Sequence, residues 1–260
     1  RGQGWRGDRP YTGLPSAEGL ADLEAGEEHP LIFGAGDVEV CFYQYALPLA
    51  LRGHFGLPAV KAKFLPGGSR RDLGCSSKEE SVRFRCRVIP MGWSWAVCWV
   101  QSIHLEVFRR AGICGPWMRD KLPLESIEEG QFVSALYIDN FAAFGYDKEV
   151  IREARDEMRK ALGAAGIVTY LDGDLGNEGD FLGFSLKEGR RWELTSRKFW
   201  KIVLGLRWIL RSGARISSRE MERLLGHLVS ALALRRECLS LLHACYVFVQ
   251  SVGTHQRAPP

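Results

Sequence analysis

The sequence predicts an α+β fold in which an antiparallel sheet packs on helices and a mostly helical region follows. Two hairpin patterns predict the sheet, with short apolar runs flanking polar turns over 132–144 and 181–194. Apolar stripes at helical spacing, over 150–162 and again from 199 onward, predict the helices. The 260 residues suffice for one large domain or two intimate ones, since a domain takes roughly 100 to 200. We divide the chain into an irregular lead-in at 1–30, a sheet-and-helix region at 31–196 and a helical region at 197–260.

The lead-in is rich in Gly, Pro, Arg and acids and lacks periodicity, apart from a short helix expected over 17–23. Leu31-Ile32-Phe33 on one side of Gly34-Ala35-Gly36, and Val38, Val40 and Phe42 on the other, predict a core strand interrupted by Asp37. Over 82–88, Val82, Phe84, Cys86 and Val88 alternate with Arg83, Arg85 and Arg87, the pattern of a half-buried strand with a basic outer face. Pro90-Met91-Gly92 ends it. After Ser94, an apolar segment without internal Gly or Pro predicts a buried helix through Phe108, closed near Gly112.

Runs at 132–138 and 141–144 leave only Asp139-Asn140 between them, which predicts a tight hairpin with those two residues at its tip. Asp147 is placed to cap a helix whose apolar stripe is Val150, Ile151, Ala154, Met158, Ala161 and Leu162, and which Gly163 and Gly166 stop. A second hairpin joins 181–186 to 192–194 through a turn containing Gly189. Phe199, Val203, Leu206 and Leu210 then recur at helical spacing. Ser217 and Glu220 predict a capping box ahead of Leu224, Leu225 and Leu228, and a last helix is expected over 237–249.

Hydrophobic residues make up 46% and charged residues 25%, the balance of an ordinary folded protein and not of a disordered or collagenous one. No apolar run approaches the roughly 18 residues of a membrane span, and the first ten residues lack a signal peptide's apolar stretch. An intracellular protein, in cytoplasm or nucleus and without a membrane partner, is therefore expected. The chain begins without Met, as an excerpt of a longer protein would. Its seven Cys contain no CxxC pair, which favours free thiols in a reducing compartment. Cys238, His243 and Cys245 fit no common zinc spacing and read as core packing.

The net charge of +4 is only mildly basic, but Arg and Lys concentrate between Arg190 and Arg223 with few acids among them. That stretch is either a phosphate-tracking surface or a solvated helix face. Asp172-Gly173-Asp174 begins like a calcium loop, yet Asn177 and Gly183 stand where its Gly and closing Glu belong. Gly34-Ala35-Gly36 fails as a dinucleotide motif because Glu39 replaces the third Gly.

Four local motifs remain, in order: Asp37-Val38-Glu39-Val40-Cys41-Phe42-Tyr43-Gln44, Ile89-Pro90-Met91-Gly92-Trp93-Ser94-Trp95-Ala96, Tyr137-Ile138-Asp139-Asn140 and Phe181-Leu182-Gly183-Phe184. Together they resemble the polymerase palm of reverse transcriptases, especially those of retroelements, over about 31–250. The resemblance implies that 1–30 ends a fingers region, 31–196 is a palm and 197–260 is a thumb or connection region. It also implies template-directed DNA synthesis, with an RNA or DNA template, a primer and deoxynucleoside triphosphates as partners.

The same resemblance assigns residues. Asp37 and Asp139 would hold Mg²⁺, or Mn²⁺, in a two-metal catalytic site, with Asn140 standing in place of the family's second Asp. Phe42 would block a ribose 2′-hydroxyl, and Met91, Gly92 and Tyr137 would shape the nucleotide pocket. Gly183 would approach the primer, and Arg197, Lys201 and Arg211 would hold nucleic acid beside Trp200, Leu204 and Trp208. Lys61, Lys63, Arg83 and Arg85 are basic, but nothing in the sequence assigns them to the triphosphate.

The first three motifs also have plain structural readings: a strand-end Asp with two core aromatics, a buried helix entered by a turn, and a favourable hairpin tip; the fourth is weakly specific, and the stripe of Trp200, Leu204 and Trp208 also reads as plain core. Phosphoryl transfer needs divalent ions held by hard oxygen ligands. Asn140 keeps a carbonyl oxygen but removes one negative charge from such a site. The competing reading is thus a catalytically inactive retroelement remnant that binds nucleic acid. A metal-dependent nuclease with paired Asp residues would explain neither Phe42 nor the motif at 90–96.

Overall fold

The computed structural model describes residues 12–23, 29–113, 115–124, 126–128, 130–211, 213, 215–252 and 257–258. Residues 1–11 and 24–28 of the lead-in, and Cys114, lie outside them. Helix α1 (Ala17–Ala21), capped by Ser16, leads to β1 (Ile32–Val38). A 3-10 turn at Cys41–Gln44 follows, then α2 (Leu49–Arg52), β2 (Val60–Lys61), α3 (Gly67–Asp72), β3 (Ser81–Val82) and the long helix α4 (Ala96–Arg110). Next come β4 (Phe132–Tyr137), β5 (Asn140–Gly145), α5 (Lys148–Ala164) and β6 (Thr169–Gly176). Strands β7 (Gly179–Phe181), β8 (Phe184–Lys187) and β9 (Arg191–Leu194) precede α6 (Ser196–Ile209), β10 (Ile216–Ser217), α7 (Ser218–Leu232), α8 (His243–Ser251) and β11 (Arg257–Ala258).

The main sheet is antiparallel, in the order β4-β5-β1-β6. Side chains alternate between faces along a strand, and here both faces are apolar. Val38, Leu136, Phe141 and Ala143 pack on α4 and α5 through Val100, Phe108, Ile151 and Met158. Phe33, Ala35, Val133, Ala135, Ala142 and Phe144 face the other way, onto α1 and the small sheet β7-β8-β9 through Leu20, Phe181, Phe184 and Leu186. The sheet is therefore a middle layer, which explains why β5 carries no charged residue. At Gly36 a Cβ would lie 2.3 Å from the Phe141 ring, so only glycine lets that ring cross β1.

Local chemistry sets several boundaries as expected. Asp147 Oδ1 accepts the Glu149 and Val150 N–H groups at 2.8 and 3.3 Å, opening α5. Its stripe of Ile151, Ala154, Met158, Ala161 and Leu162 is buried. The Ser217 and Glu220 capping box opens α7. Gly112, at φ +77°, follows the end of α4.

Other boundaries differ. Side-chain burial over 82–88 alternates as expected, but only Ser81–Val82 forms a strand, and beyond it the pairing is limited to single bridges at Gly56↔Arg85 and Ala46↔Val88. The facing chain contains Pro48, Gly53 and Pro58, and proline breaks a continuous ladder by lacking an N–H. Val40, expected in the core strand, is exposed at φ +39° because β1 ends at Val38. The segment 181–186 is two strands, not one, split by a tight turn at Leu182-Gly183. The last helix begins only at His243, after a 3-10 segment at Arg236–Leu242.

Helix α6 also rotates relative to expectation. Ile202 and Ile209 are buried, whereas Phe199 and Leu210 are exposed. The cause is Gly205, where a Cβ would lie 2.9 Å from Leu224. Close approach there turns the Gly205 side of α6 toward α7, and Ile209, Ile216, Met221, Leu224, Leu225 and Leu242 form a separate small core. Among the described residues no helix is long and apolar enough to cross a membrane.

Candidate active site

The register of the main sheet aligns four side chains in one row: Tyr137 opposite Asn140, Asn140 opposite Asp37, and Asp37 opposite Tyr170. Directly paired residues share a face, and this face is the one opposite α4 and α5. The Val38 N–H donates to the Asp139 carbonyl at 2.9 Å, which closes the hairpin tip onto the end of β1. Asn140 Nδ2 donates to Asp139 Oδ1 at 2.9 Å, and the Tyr170 hydroxyl donates to Asp37 Oδ2 at 3.2 Å. The fold thus brings Asp37, Asp139, Asn140 and Tyr137 together from 100 residues apart in the chain.

The tip is Ile138-Asp139 and not Asp139-Asn140, because Asn140 already pairs with Tyr137 as the first residue of β5. Ile138 has φ +58°, a left-handed conformation that costs a β-branched residue roughly 1–3 kcal/mol. Helix α4 holds it there. Gln101 Oε1 accepts the Ile138 N–H at 2.9 Å while Gln101 Nε2 donates to the Leu136 carbonyl at 2.8 Å. His104 Nδ1 lies 2.7 Å from the Ile138 carbonyl, and its Nε2 meets the Tyr45 hydroxyl. Gln101 and His104 are both buried. A carbonyl can only accept, so Nδ1 carries the proton and Nε2 accepts from Tyr45. Burial lowers the His104 pKa from 6.5 to about 4, which keeps the ring neutral.

Gln101, His104, Tyr45 and Tyr170 join the site from outside the four sequence motifs. A signal for two of them exists in the sequence, since Gln101 and His104 are polar residues three apart inside the apolar run of 96–108. Tyr45 and Tyr170 carry no local signal, because their partners are set by pairing across the fold.

The remaining candidates lie on other elements: Phe42 in the 3-10 turn, Met91 and Gly92 ahead of α4, Gly183 between β7 and β8, and Arg197, Lys201 and Arg211 on or just after α6. Phe42 is half-buried in the 3-10 turn after β1 and packs at the edge of the core under α4 and α5. Gln44 ties that turn to the residue before β6, accepting the Val168 N–H at 2.8 Å and donating to the Val168 carbonyl at 2.9 Å. Met91 is exposed beside Gly92, whose φ of +88° bends the chain into α4. Trp93 fills core, edge-on to Phe55 and Trp99 with centroids 5.2 Å away in both cases.

At the Leu182-Gly183 turn, Lys198 Nζ donates to the Leu182 carbonyl and to Ser230 Oγ, both at 3.1 Å, and sits 4.8 Å over the Phe184 ring. A Cβ on Gly183 would meet Lys198 Nζ at 2.3 Å. Gly183, at φ +81°, makes the turn over which Lys198 lies, between the small sheet and α7. Burial lowers the Lys198 pKa. Arg197, Lys201 and Arg211 are exposed; Arg197 and Lys201 lie on the side of α6 that also exposes Trp200 (52%), Leu204 (60%) and Trp208 (43%), and Arg211 follows the helix end.

Partial burial raises the Asp37 pKa, and the charges of Asp139 and Asp172 raise it further. Crowded carboxylates of this kind are relieved by a cation. Asp37, Asp139 and the side-chain oxygen of Asn140 are hard oxygen donors, the chemistry that suits a divalent ion such as Mg²⁺. Among the described residues no group of three or more His, Cys, Asp or Glu is placed to hold a metal.

No family model matches the sequence, and no curated protein matches it. Among solved structures, the chain is similar to a foamy viral protease-reverse transcriptase in complex with double-stranded DNA, with a TM-score of 0.56 at 13% identity. The match covers 96% of this chain and 36% of that one, so the chain spans about a third of its neighbour's length. The likeness is one of fold: an antiparallel sheet packed on helices, as in a polymerase.

Proposed function

We propose that this chain is the palm and thumb of a retroelement-type reverse transcriptase, which extends a primer by copying an RNA or DNA template. One observation carries the reading. Asp37 and Asp139 converge with Asn140 at one end of a central sheet, on a hairpin whose tip is held in a strained conformation by the helix that follows Pro90-Met91-Gly92. Conformations of this kind persist only where the surroundings over-determine them, and they cluster at functional sites.

In this reading Asp37 and Asp139 hold Mg²⁺ or Mn²⁺, and Asn140 adds a neutral oxygen. A bound divalent ion would supply activation of the primer 3′-hydroxyl and neutralisation of the triphosphate. The protein's own part is positional. Tyr170 orients Asp37, Asn140 orients Asp139, and the row of residues lies on the open end of the sheet where a primer terminus can approach. Phe42, Met91, Gly92 and Tyr137 form the surroundings of the deoxynucleotide, while Arg197, Lys201 and Arg211 hold the template and primer backbones. A cytoplasmic or nuclear location suits such an activity.

Asn140 favours a second reading, a polymerase fold that binds nucleic acid without extending it. Primer extension on an RNA template with Mg²⁺ and deoxynucleotides separates the two, run beside Asn140→Asp and Asp139→Ala. Extension by the unmodified chain, lost in Asp139→Ala, supports an active enzyme. Extension only by Asn140→Asp supports the second reading. Extension that survives Asp139→Ala sinks the role given to that carboxylate.

A further inference from the structure

The hairpin tip is held from below by groups that the proposed chemistry does not use. His104 is fully buried on α4 and Tyr45 is half-buried after the 3-10 turn that follows β1. Tyr45 packs against the core that contains Val100, Phe108 and Leu136, and His104 lies on α4 between Val100 and Phe108 in sequence. A buried imidazole and a buried phenol each cost free energy unless hydrogen-bonded, and here each satisfies the other. Only one arrangement of protons does this: Tyr45 donates to His104 Nε2 and His104 Nδ1–H donates to the Ile138 carbonyl.

The relay links three parts of the chain. Tyr45 follows the segment that begins with Asp37, its backbone carbonyl accepts the Ile89 N–H at 3.1 Å beside Pro90-Met91-Gly92, and His104 reaches the tip carrying Asp139. We propose that Tyr45 and His104 are a positioning pair that fixes the left-handed Ile138 turn and thereby sets where the Asp139 carboxylate stands relative to Asp37. The inference rests on the reading of Asp37 and Asp139 as the reactive centre. The pair touches neither carboxylate. It acts through the Ile138 carbonyl and through the Val38 N–H bond that the Asp139 carbonyl accepts.

Amide hydrogen exchange, followed by NMR on the full chain, tests this without relying on activity. The reporters are Val38, whose N–H is held by Asp139, and Ile138, whose N–H is held by Gln101. The control is Phe144, deep in β5. In His104→Leu, exchange at Val38 and Ile138 is expected to quicken about tenfold, the worth of one hydrogen bond, with Phe144 little changed. His104→Asn, whose amide nitrogen can take the place of Nδ1, is expected to restore most of that protection. Tyr45→Phe is expected to quicken it partly, and ¹⁵N shifts of His104 should report the Nδ1–H tautomer in the unmodified chain.

Unchanged exchange at Val38 and Ile138 in His104→Leu overturns the proposal, as does a rise shared equally by Phe144 and not restored by Asn. Mn²⁺ titration monitored by electron paramagnetic resonance tests the underlying reading separately. If Asp139→Ala leaves Mn²⁺ binding intact, the metal role of Asp139 fails, while the exchange result still decides whether His104 positions the turn.

Discussion

Gly36 shows how narrowly the candidate site is fitted. Its missing Cβ makes room for Phe141, the residue after Asn140, one position from Asp37 in β1. Gly36→Ala forces the ring and the strand apart, and overpacking of this kind costs about 1–3 kcal/mol. Chemical denaturation should record that loss, and a stability equal to the unmodified chain would mean that Phe141 rotates freely. Asn140 poses the converse question of charge. Asn140→Asp adds a third carboxyl to the donor set, and ligand charge is a main determinant of affinity for hard cations. Mn²⁺ should bind about tenfold more tightly to Asn140→Asp than to the unmodified chain, and equal affinity would place the ion away from residue 140.

Among the elements, α4 and its contact with the hairpin give a pH signature. His104 has a folded pKa depressed from 6.5 to about 4 by burial. Its neutral form thus contributes stability that is fully present above the unfolded value and is lost as pH falls from about 6.5 through about 4. At 1.36 kcal/mol per pH unit the contribution is roughly 3 kcal/mol. Urea unfolding at pH 7 and pH 4 should show a smaller acid loss in His104→Asn than in the unmodified chain, and equal losses would mean that His104 is solvated. Helix α7 offers a simpler case: Ser217→Ala removes its capping box and should cost about 1 kcal/mol in the same assay.

These elements differ in how readily they are read from sequence. The caps at Asp147 and Ser217 are legible because the cap and its partners lie within three residues. The core stripe of α5 is legible because one face meets a sheet along its whole length. The tip of the hairpin is not, since residue types alone favour Asp139-Asn140 as the turn, and what shifts it is α4, with Gln101 lying 37 residues before Ile138. The same holds for α6. Its apolar residues suit several faces, and the choice falls to Gly205 meeting Leu224 on another helix.

At the scale of the molecule, α6 presents two opposed faces. At roughly 100° per residue, Arg197, Trp200, Lys201, Leu204 and Trp208 fall within an arc of about 100°, while Ile202, Gly205 and Ile209 lie on the side that packs on α7. Exposed aromatic residues interleaved with cations suit a nucleic-acid strand, the cations meeting phosphates and the apolar groups meeting sugars or bases. Neutralising a phosphate releases counterions, so each such contact adds about 0.9 to the slope of log affinity against log salt for duplex DNA. Replacing Arg197, Lys201 and Arg211 together by Ala should therefore lower that slope by about 2 to 3 in a fluorescence-anisotropy titration. Asp139→Ala, which removes no cation, should leave the slope unchanged. If the triple variant keeps the full slope, the nucleic acid lies elsewhere, and the exposed face of α6 serves a different contact.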